Sequence, residues 1–256
     1  MHKLIIFDLD GTLTESKQPL TSEMAALVAK LLARTKVAII SGCSLPQFLK
    51  QVFRRLPSDT HFENLYFLPT SGAALYEYHP STSPRAGGGW DKIYEERLSE
   101  KEADVIATAM IAAAEETGVI DFSEPVWEHR IEYRGGQVTM SALGQDAPIV
   151  EKKAWDPDHT KRQKLQANIA ERLPEFSVGI GGSTTIDVTK RGVDKAYGVR
   201  QLCKRLGIEE SYAIYIGDEL EANGNDEAVF KTDVVTCVVD SQSDTIRTIK
   251  TFLTAA

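Results

Sequence analysis

Leu4-Ile5-Ile6-Phe7 is an unbroken apolar run that stops on Asp8-Leu9-Asp10 and turns at Gly11-Thr12. A short run of this kind reads as a strand buried on both faces, so the rest of the chain must supply a layer above it and a layer below. Side chains alternate along a strand, which puts Asp8 and Asp10 on one side. Two carboxylates at the end of a buried strand repel each other and resist desolvation. A hard divalent ion such as Mg2+ relieves both costs.

The segments that follow fit a layered α/β fold. Ser22–Arg34 carries Met24, Leu27, Val28, Leu31 and Leu32 at helical spacing, with Thr21 or Ser22 as N-cap. Lys36–Ser41 reads as a strand, Leu45–Leu56 as a helix, and Asn64–Thr70 and Ala73–Tyr78 as strands. This alternation predicts a parallel sheet with helices on both faces.

The pattern then breaks. Pro80–Gly89 is rich in Pro, Ser and Gly and reads as a loop or hinge. Ser99–Thr117 is an Ala-rich helix. Arg130–Arg134 and Gln137–Leu143 alternate around Gly135-Gly136, a hairpin signal. Asp158–Arg172 reads as a helix, and Phe176–Ile180 and Thr184–Val188 as strands.

From Lys195 the first pattern returns, with a helix to Leu206 and an apolar strand over Tyr212–Ile216 that ends at Gly217-Asp218. Glu227–Phe230, Val234–Val239 and Thr245–Leu253 read as a short helix, a strand and a last helix. The expected architecture is therefore a Rossmann-like, parallel-sheet α/β core over residues 1–80 and 189–256. An α+β cap is inserted over residues 81–188.

A net charge of −8 over 256 residues argues against general affinity for nucleic acid or anionic membranes. Cys43, Cys203 and Cys237 have no metal spacing and read as reduced thiols. No apolar run is long enough to span a bilayer, and the first strand begins too early to leave room for a signal peptide. A cytoplasmic location is expected.

Asp8/Asp10, Ser41, Lys195 and Asp218 fall at, or just beyond, the carboxyl ends of predicted core strands, the edge where open parallel sheets bind ligands. Together they suit phosphoryl transfer. Asp8 can attack phosphorus and carry the phosphoryl group. Asp10 can protonate the leaving oxygen and later take a proton from the incoming hydroxyl. Ser41 can donate to a phosphoryl oxygen with help from nearby main-chain N–H groups such as that of Gly42. Lys195 can neutralise charge on the phosphoryl group and on Asp8. Asp218 can hold Mg2+ with Asp8, Asp10 and Asp226. A non-enzymatic phospho-acceptor or a sugar-phosphate sensor is the alternative class. The predicted lid and the second carboxylate, Asp10, argue against a pure acceptor.

Asp8–Thr12 (DLDGT), Ser41, Lys195 and Gly217–Asp226 resemble the four motifs of the haloacid dehalogenase superfamily. Asp8–Met24, Ile131–Leu143, Gly181–Lys195 and Gly217–Phe230 are similar to one branch, the eukaryotic-type phosphomannomutases. The resemblance implies transfer of phosphate between the 1- and 6-hydroxyls of mannose, with a cap that grips the distal phosphate through arginines. Arg134 matches the first of these. Gln145 and Lys152 stand near the second and third, and Lys17 replaces an arginine of the core-side loop. Thr185 and Asp187 match cap positions that would contact sugar hydroxyls. Lysine keeps charge but loses the bidentate fork, and glutamine loses the charge. The thinner arginine set leaves two outcomes open, a phosphomannomutase-like isomerase and a phosphosugar phosphatase. The expected partner is a phosphorylated small molecule, a hexose phosphate, with no nucleic acid and no membrane. A homodimer is left open.

Overall fold

The structure, a computed structural model, describes residues 2–80, 89–222 and 224–254. Most of the predicted hinge, residues 81–88, lies outside the described residues. The chain divides into two compact units, one built mainly from the segments before residue 96 and after residue 194, the other from residues 96–194.

The first unit holds a seven-stranded sheet. Its strands are β1 (Leu4–Asp8), β2 (Lys36–Ile40), β3 (Leu65–Leu68), β4 (Ala74–Tyr78), β5 (Trp90–Glu95), β10 (Ala213–Gly217) and β11 (Val235–Val238). The order across the sheet is β11-β10-β1-β2-β3-β4-β5. Neighbouring strands from β11 to β3 are parallel, whereas β4 and β5 pair antiparallel. The core is thus parallel over five strands, as expected, with β4 and β5 added antiparallel at one edge. Only residues 69–73 join β3 to β4, too few for a crossover, which takes about a dozen or more residues.

Both faces of the sheet are covered. Ile5 and Phe7 pack with Met24, Val28 and Leu31 of helix α1 (Ser22–Leu32), Phe48 of α2 (Leu45–Gln51) and Ile249 of α7 (Gln242–Thr254). Leu4 and Ile6 point the other way, to Val199 and Leu202 of α6 (Lys195–Leu206) and to Tyr215. Asp8 continues the parity of Leu4 and Ile6, so the first carboxylate emerges on the α6 side.

The second unit is an α+β layer pair. Strands β6 (Ile131–Tyr133), β7 (Gln137–Ser141), β8 (Phe176–Ile180) and β9 (Thr185–Lys190) form an antiparallel sheet in the order β6-β7-β9-β8. Val138, Met140, Ile186 and Val188 face α3 (Glu100–Thr117) and α5 (Thr160–Arg172), where they meet Ile106, Met110, Leu165 and Ile169. Ser99 and Glu102 close a reciprocal capping box at the start of α3, and Gly118 ends it at φ +62°. The opposite parity of the same strands is polar: Gln137, Thr139, Ser141, Thr185, Asp187 and Thr189.

The boundaries expected at 80/81 and 188/189 shift. β5 belongs to the seven-stranded sheet, where Trp90 stacks on Phe67 with ring centroids 4.2 Å apart. Its apolar residues, Trp90, Ile93 and Tyr94, do not alternate, which hid the strand. β9 runs on to Lys190, and the second unit ends at Asp194. Helix α4 (Ile149–Trp155) has no counterpart among the predicted elements, because seven residues give too few turns for a periodic signal.

Candidate active site

Register brings the first unit's site together. Asp8 ends β1, Ser41 follows β2, and Gly217 ends β10, with Asp218 next in the chain. These three strands are adjacent and parallel, so their carboxyl ends share one edge. Lys195 is the first residue of α6, the helix that covers the Asp8 side of the sheet.

Lys195 is buried and donates from Nζ to Asp8 Oδ1 at 2.6 Å and to Asp226 Oδ1 at 2.7 Å. Asp8, Asp218 and Asp226 each offer a carboxylate oxygen within 4.8 Å of the others. Burial raises the Asp8 carboxyl well above the usual range; Lys195 opposes this, and Asp226 and Asp218 add to it. Burial works against the charge on Lys195, but Asp226 and Asp8 outweigh it and raise its pKa. Asp218 is pushed up to about 6, by burial first, against a hydrogen bond from Thr12.

The donor set fits a hard divalent ion. Three carboxylates face a single ammonium, and Asp226 Oδ2 is buried with no hydrogen-bond partner. An orphaned anionic oxygen of this kind is a ligand atom in waiting. Two glycines make the approach feasible. A Cβ on Gly217 would stand 2.3 Å from Asp226 Oδ2, and Gly11 lies under Asp218 at φ +99°.

Asp10 is not in this cluster, although the sequence placed it among the metal ligands. The alternation ends with β1 at Asp8, after which Leu13 and Thr14 donate main-chain N–H groups back to the Leu9 carbonyl. The turn swings the Asp10 carboxylate toward α2. There Oδ1 accepts from the Lys17 N–H at 2.8 Å and from Gln51 Nε2 at 3.3 Å, and Oδ2 from Cys43 Sγ at 3.4 Å. Lys17 therefore touches Asp10 through its main chain, at φ +58°. Ser41 Oγ accepts from the Cys43 N–H at 3.3 Å, across Gly42.

The second unit gathers a second polar group. Arg134 donates to Glu132 Oε2 from Nε at 2.9 Å and from NH2 at 2.6 Å, and to Gln145 Oε1 at 3.0 Å. Lys152 Nζ donates to the Gln145 carbonyl at 3.0 Å. Asp187 Oδ1 accepts from Thr139 Oγ1 at 2.8 Å. Thr185 and Asp187 converge over Gly181, where a Cβ would stand 2.1 Å from Thr185 Oγ1 and 2.8 Å from Asp187 Oδ2. Arg134, Gln145 and Lys152 are thus joined in one network, while Thr185 and Asp187 both crowd the space beside Gly181.

Several contributors escaped sequence reasoning. Tyr215 reads as one more apolar strand residue, yet its hydroxyl donates to Asp226 Oδ1. Glu132 reads as the polar half of a strand alternation, and Gln51 as a solvated helix residue, although it is fully buried. No local pattern marks Tyr215 or Gln51, whose partners are distant in sequence, and Glu132 pairs with Arg134 two residues on in the same alternation.

A sequence model of the eukaryotic phosphomannomutases matches residues 121–255. The chain belongs to the eukaryotic phosphomannomutase family. That makes it a phosphotransferase of the haloacid dehalogenase type. The matched stretch holds Arg134, Gln145, Lys152, Thr185, Asp187, Lys195, Asp218 and Asp226. The Saccharomyces cerevisiae phosphomannomutase is 25% identical over 250 residues, 95% of this chain and 91% of the relative. The phosphomannomutase of Triticum aestivum is 26% identical over 255 residues, 96% of this chain and 94% of the relative.

Solved structures share the fold at lower identity. The IMP-bound, N-terminally truncated IMP-nucleotidase of Plasmodium falciparum superposes with a TM-score of 0.73 at 16% identity, over 100% of this chain and 68% of that one. SMU.1108c from Streptococcus mutans gives 0.65 at 16% identity, over 99% of this chain and 100% of that one. The phosphomannomutase family chain therefore has the haloacid dehalogenase fold. No helix among the described residues is long and apolar enough to cross a membrane.

Proposed function

We propose that this chain transfers a phosphoryl group of a hexose phosphate through an aspartyl-phosphate on Asp8, with Mg2+ bound by Asp8, Asp218 and Asp226. The observation that carries the reading is Asp8 itself. It is a buried carboxylate at a strand end, held by Lys195 within the three-carboxylate cluster. Bound there, the cation offsets the negative charge that the nucleophile and the phosphoryl oxygens bring together.

The remaining chemistry belongs to side chains. An Asp8 oxygen forms a bond to phosphorus as the bond from phosphorus to the sugar oxygen breaks, and Asp10 gives its proton to that oxygen. Asp10 then takes a proton from the incoming hydroxyl as that oxygen attacks the aspartyl-phosphate and Asp8 is released. Lys195 and the Ser41 hydroxyl stabilise the phosphoryl oxygens. Gly42 supplies main-chain N–H. In the second unit, Arg134 and Lys152 are proposed to recognise a distal phosphate, and Thr185 and Asp187 the sugar hydroxyls. The protein works in the cytoplasm on a small molecule.

Family membership favours a mutase, in which the incoming hydroxyl belongs to the sugar. One geometric observation favours the second reading, a phosphosugar phosphatase. Glu132 and Gln145 already occupy the Arg134 guanidinium, which weakens its grip on a second phosphate. Phosphorus NMR of the protein with Mg2+ and mannose 1-phosphate, with and without a catalytic hexose bisphosphate, separates them. Bisphosphate-dependent mannose 6-phosphate marks a mutase, and inorganic phosphate a phosphatase. With neither product, the hexose phosphate reading fails.

A further inference from the structure

The acidic cluster contains an asymmetry that the proposed reaction does not use. Asp226 Oδ1 accepts from two buried donors, Lys195 Nζ at 2.7 Å and the Tyr215 hydroxyl. Asp226 Oδ2 accepts from none. A carboxylate can rotate and can share its donors between both oxygens. Here the two donors converge on a single oxygen and commit the other to the remaining direction.

Tyr215 is well placed for this. It lies in the middle of β10, pairs with Ile6 in register and is fully buried, so its ring is fixed by the sheet and by α6. Its edge stands 2.9 Å from where a Cβ on Gly217 would be, beside the space that Asp226 Oδ2 occupies. Lys195 alone does not lock Asp226, because its ammonium also serves Asp8.

We infer that Tyr215 is a positioning residue for the metal centre: its hydroxyl pins Asp226 Oδ1 and so presents Oδ2 as a ligand for the divalent cation. The inference rests on the reading that Asp8, Asp218 and Asp226 hold Mg2+. Partners that orient a ligating carboxylate from behind typically change metal affinity by about 10- to 100-fold when removed.

The test is Mg2+ titration by calorimetry on the full chain and on Tyr215→Phe, with the melting temperature of each metal-free protein measured alongside. Phenylalanine keeps the ring and its packing, so the variant should fold. The expected result is a Kd for Mg2+ weakened by about tenfold, with the metal-free melting temperature little changed. An unchanged Kd overturns the inference, including the case in which the metal-free protein melts lower and Tyr215 is structural only. If the parent chain binds no Mg2+, the metal reading itself falls and the inference with it.

Discussion

A Cβ on Gly11 would stand 2.0 Å from Asp218 Oδ2, closer than two non-bonded atoms can approach. The first motif's glycine is therefore the floor on which the fourth motif's carboxylate rests. Its φ of +99° adds a backbone reason, since side-chain-bearing residues rarely adopt it. Gly11→Ala should displace Asp218, lower the melting temperature and reduce Mg2+-dependent turnover of an aryl phosphate by about 10- to 100-fold. Ordinary turnover in a folded variant would show that Asp218 does not need this position.

Asp8→Asn keeps the side-chain shape and removes the attacking charge. Turnover and acid-stable labelling by a radioactive phosphoryl donor should both disappear. The fold should survive, because burial already penalises the Asp8 charge and Lys195 keeps its contact with Asp226. Retained labelling would move the phosphoryl group to another residue.

The pH dependence of the metal-free protein follows from Asp218, pushed up to about 6 from 3.8. Between these values the folded state holds a proton that the unfolded state has released. Stability therefore falls as pH rises through this window, the share due to Asp218 being lost above about 6, and the raised Asp8 carboxyl adds to the same fall. Mg2+ should restore stability, raising the melting temperature more at pH 7 than at pH 5. Asp218→Asn should flatten the slope of the metal-free curve. An unaltered slope in that variant would assign the dependence to other groups.

Glu132 competes with any phosphate for Arg134. Glu132→Gln should lower KM for a hexose bisphosphate several-fold, while Arg134→Ala should raise it, and both should leave kcat/KM for an aryl phosphate near the parent value. Parallel losses on both substrate types would remove Arg134 from phosphosugar recognition.

Arg162 and Asp156 form a buried ion pair at 2.8 Å, and Arg162 also donates to the carbonyls of Gly181 and Gly182. Loss of one member of a buried pair costs about 3–5 kcal/mol, since the other charge is left without its partner. Arg162→Met should destabilise the second unit severely, and Arg162→Met with Asp156→Leu should recover part of the loss. A double-variant melt no better than the single would mean that the Gly181 and Gly182 contacts, not the ion pair, carry the stability.

Much of this was legible in the chain. The apolar lead-in to Asp8, the helical spacing of Met24 to Leu32, and the Gly135-Gly136 turn are local signals, and the structure reproduces each of them. The cluster of Asp8, Asp218 and Asp226 was readable because the strand-end rule gathers distant segments at one edge. The rest depends on direction rather than pattern. Asp10 departs from the cluster because a turn, not a strand, carries it. Tyr215 and Gln51 act through hydroxyl and amide groups that face inward from positions that sequence assigns to packing or to solvent. The antiparallel return of β4 follows from a short connection that looked like one more unit of alternation.

The last helix contributes no carboxylate to the cluster, yet Gln242 Nε2 donates to the Gly11 and Thr14 carbonyls at 2.7 and 3.1 Å, and Thr245 Oγ1 to the Thr12 carbonyl at 2.8 Å. The loop that follows Asp8 is thus latched by residues more than 220 positions later. On the ribosome, β1 emerges well before Asp218, Asp226 and this helix, so Asp8 and its loop wait for their native neighbours. A chain cut short before α7 would therefore lack the fastening of the loop that follows Asp8.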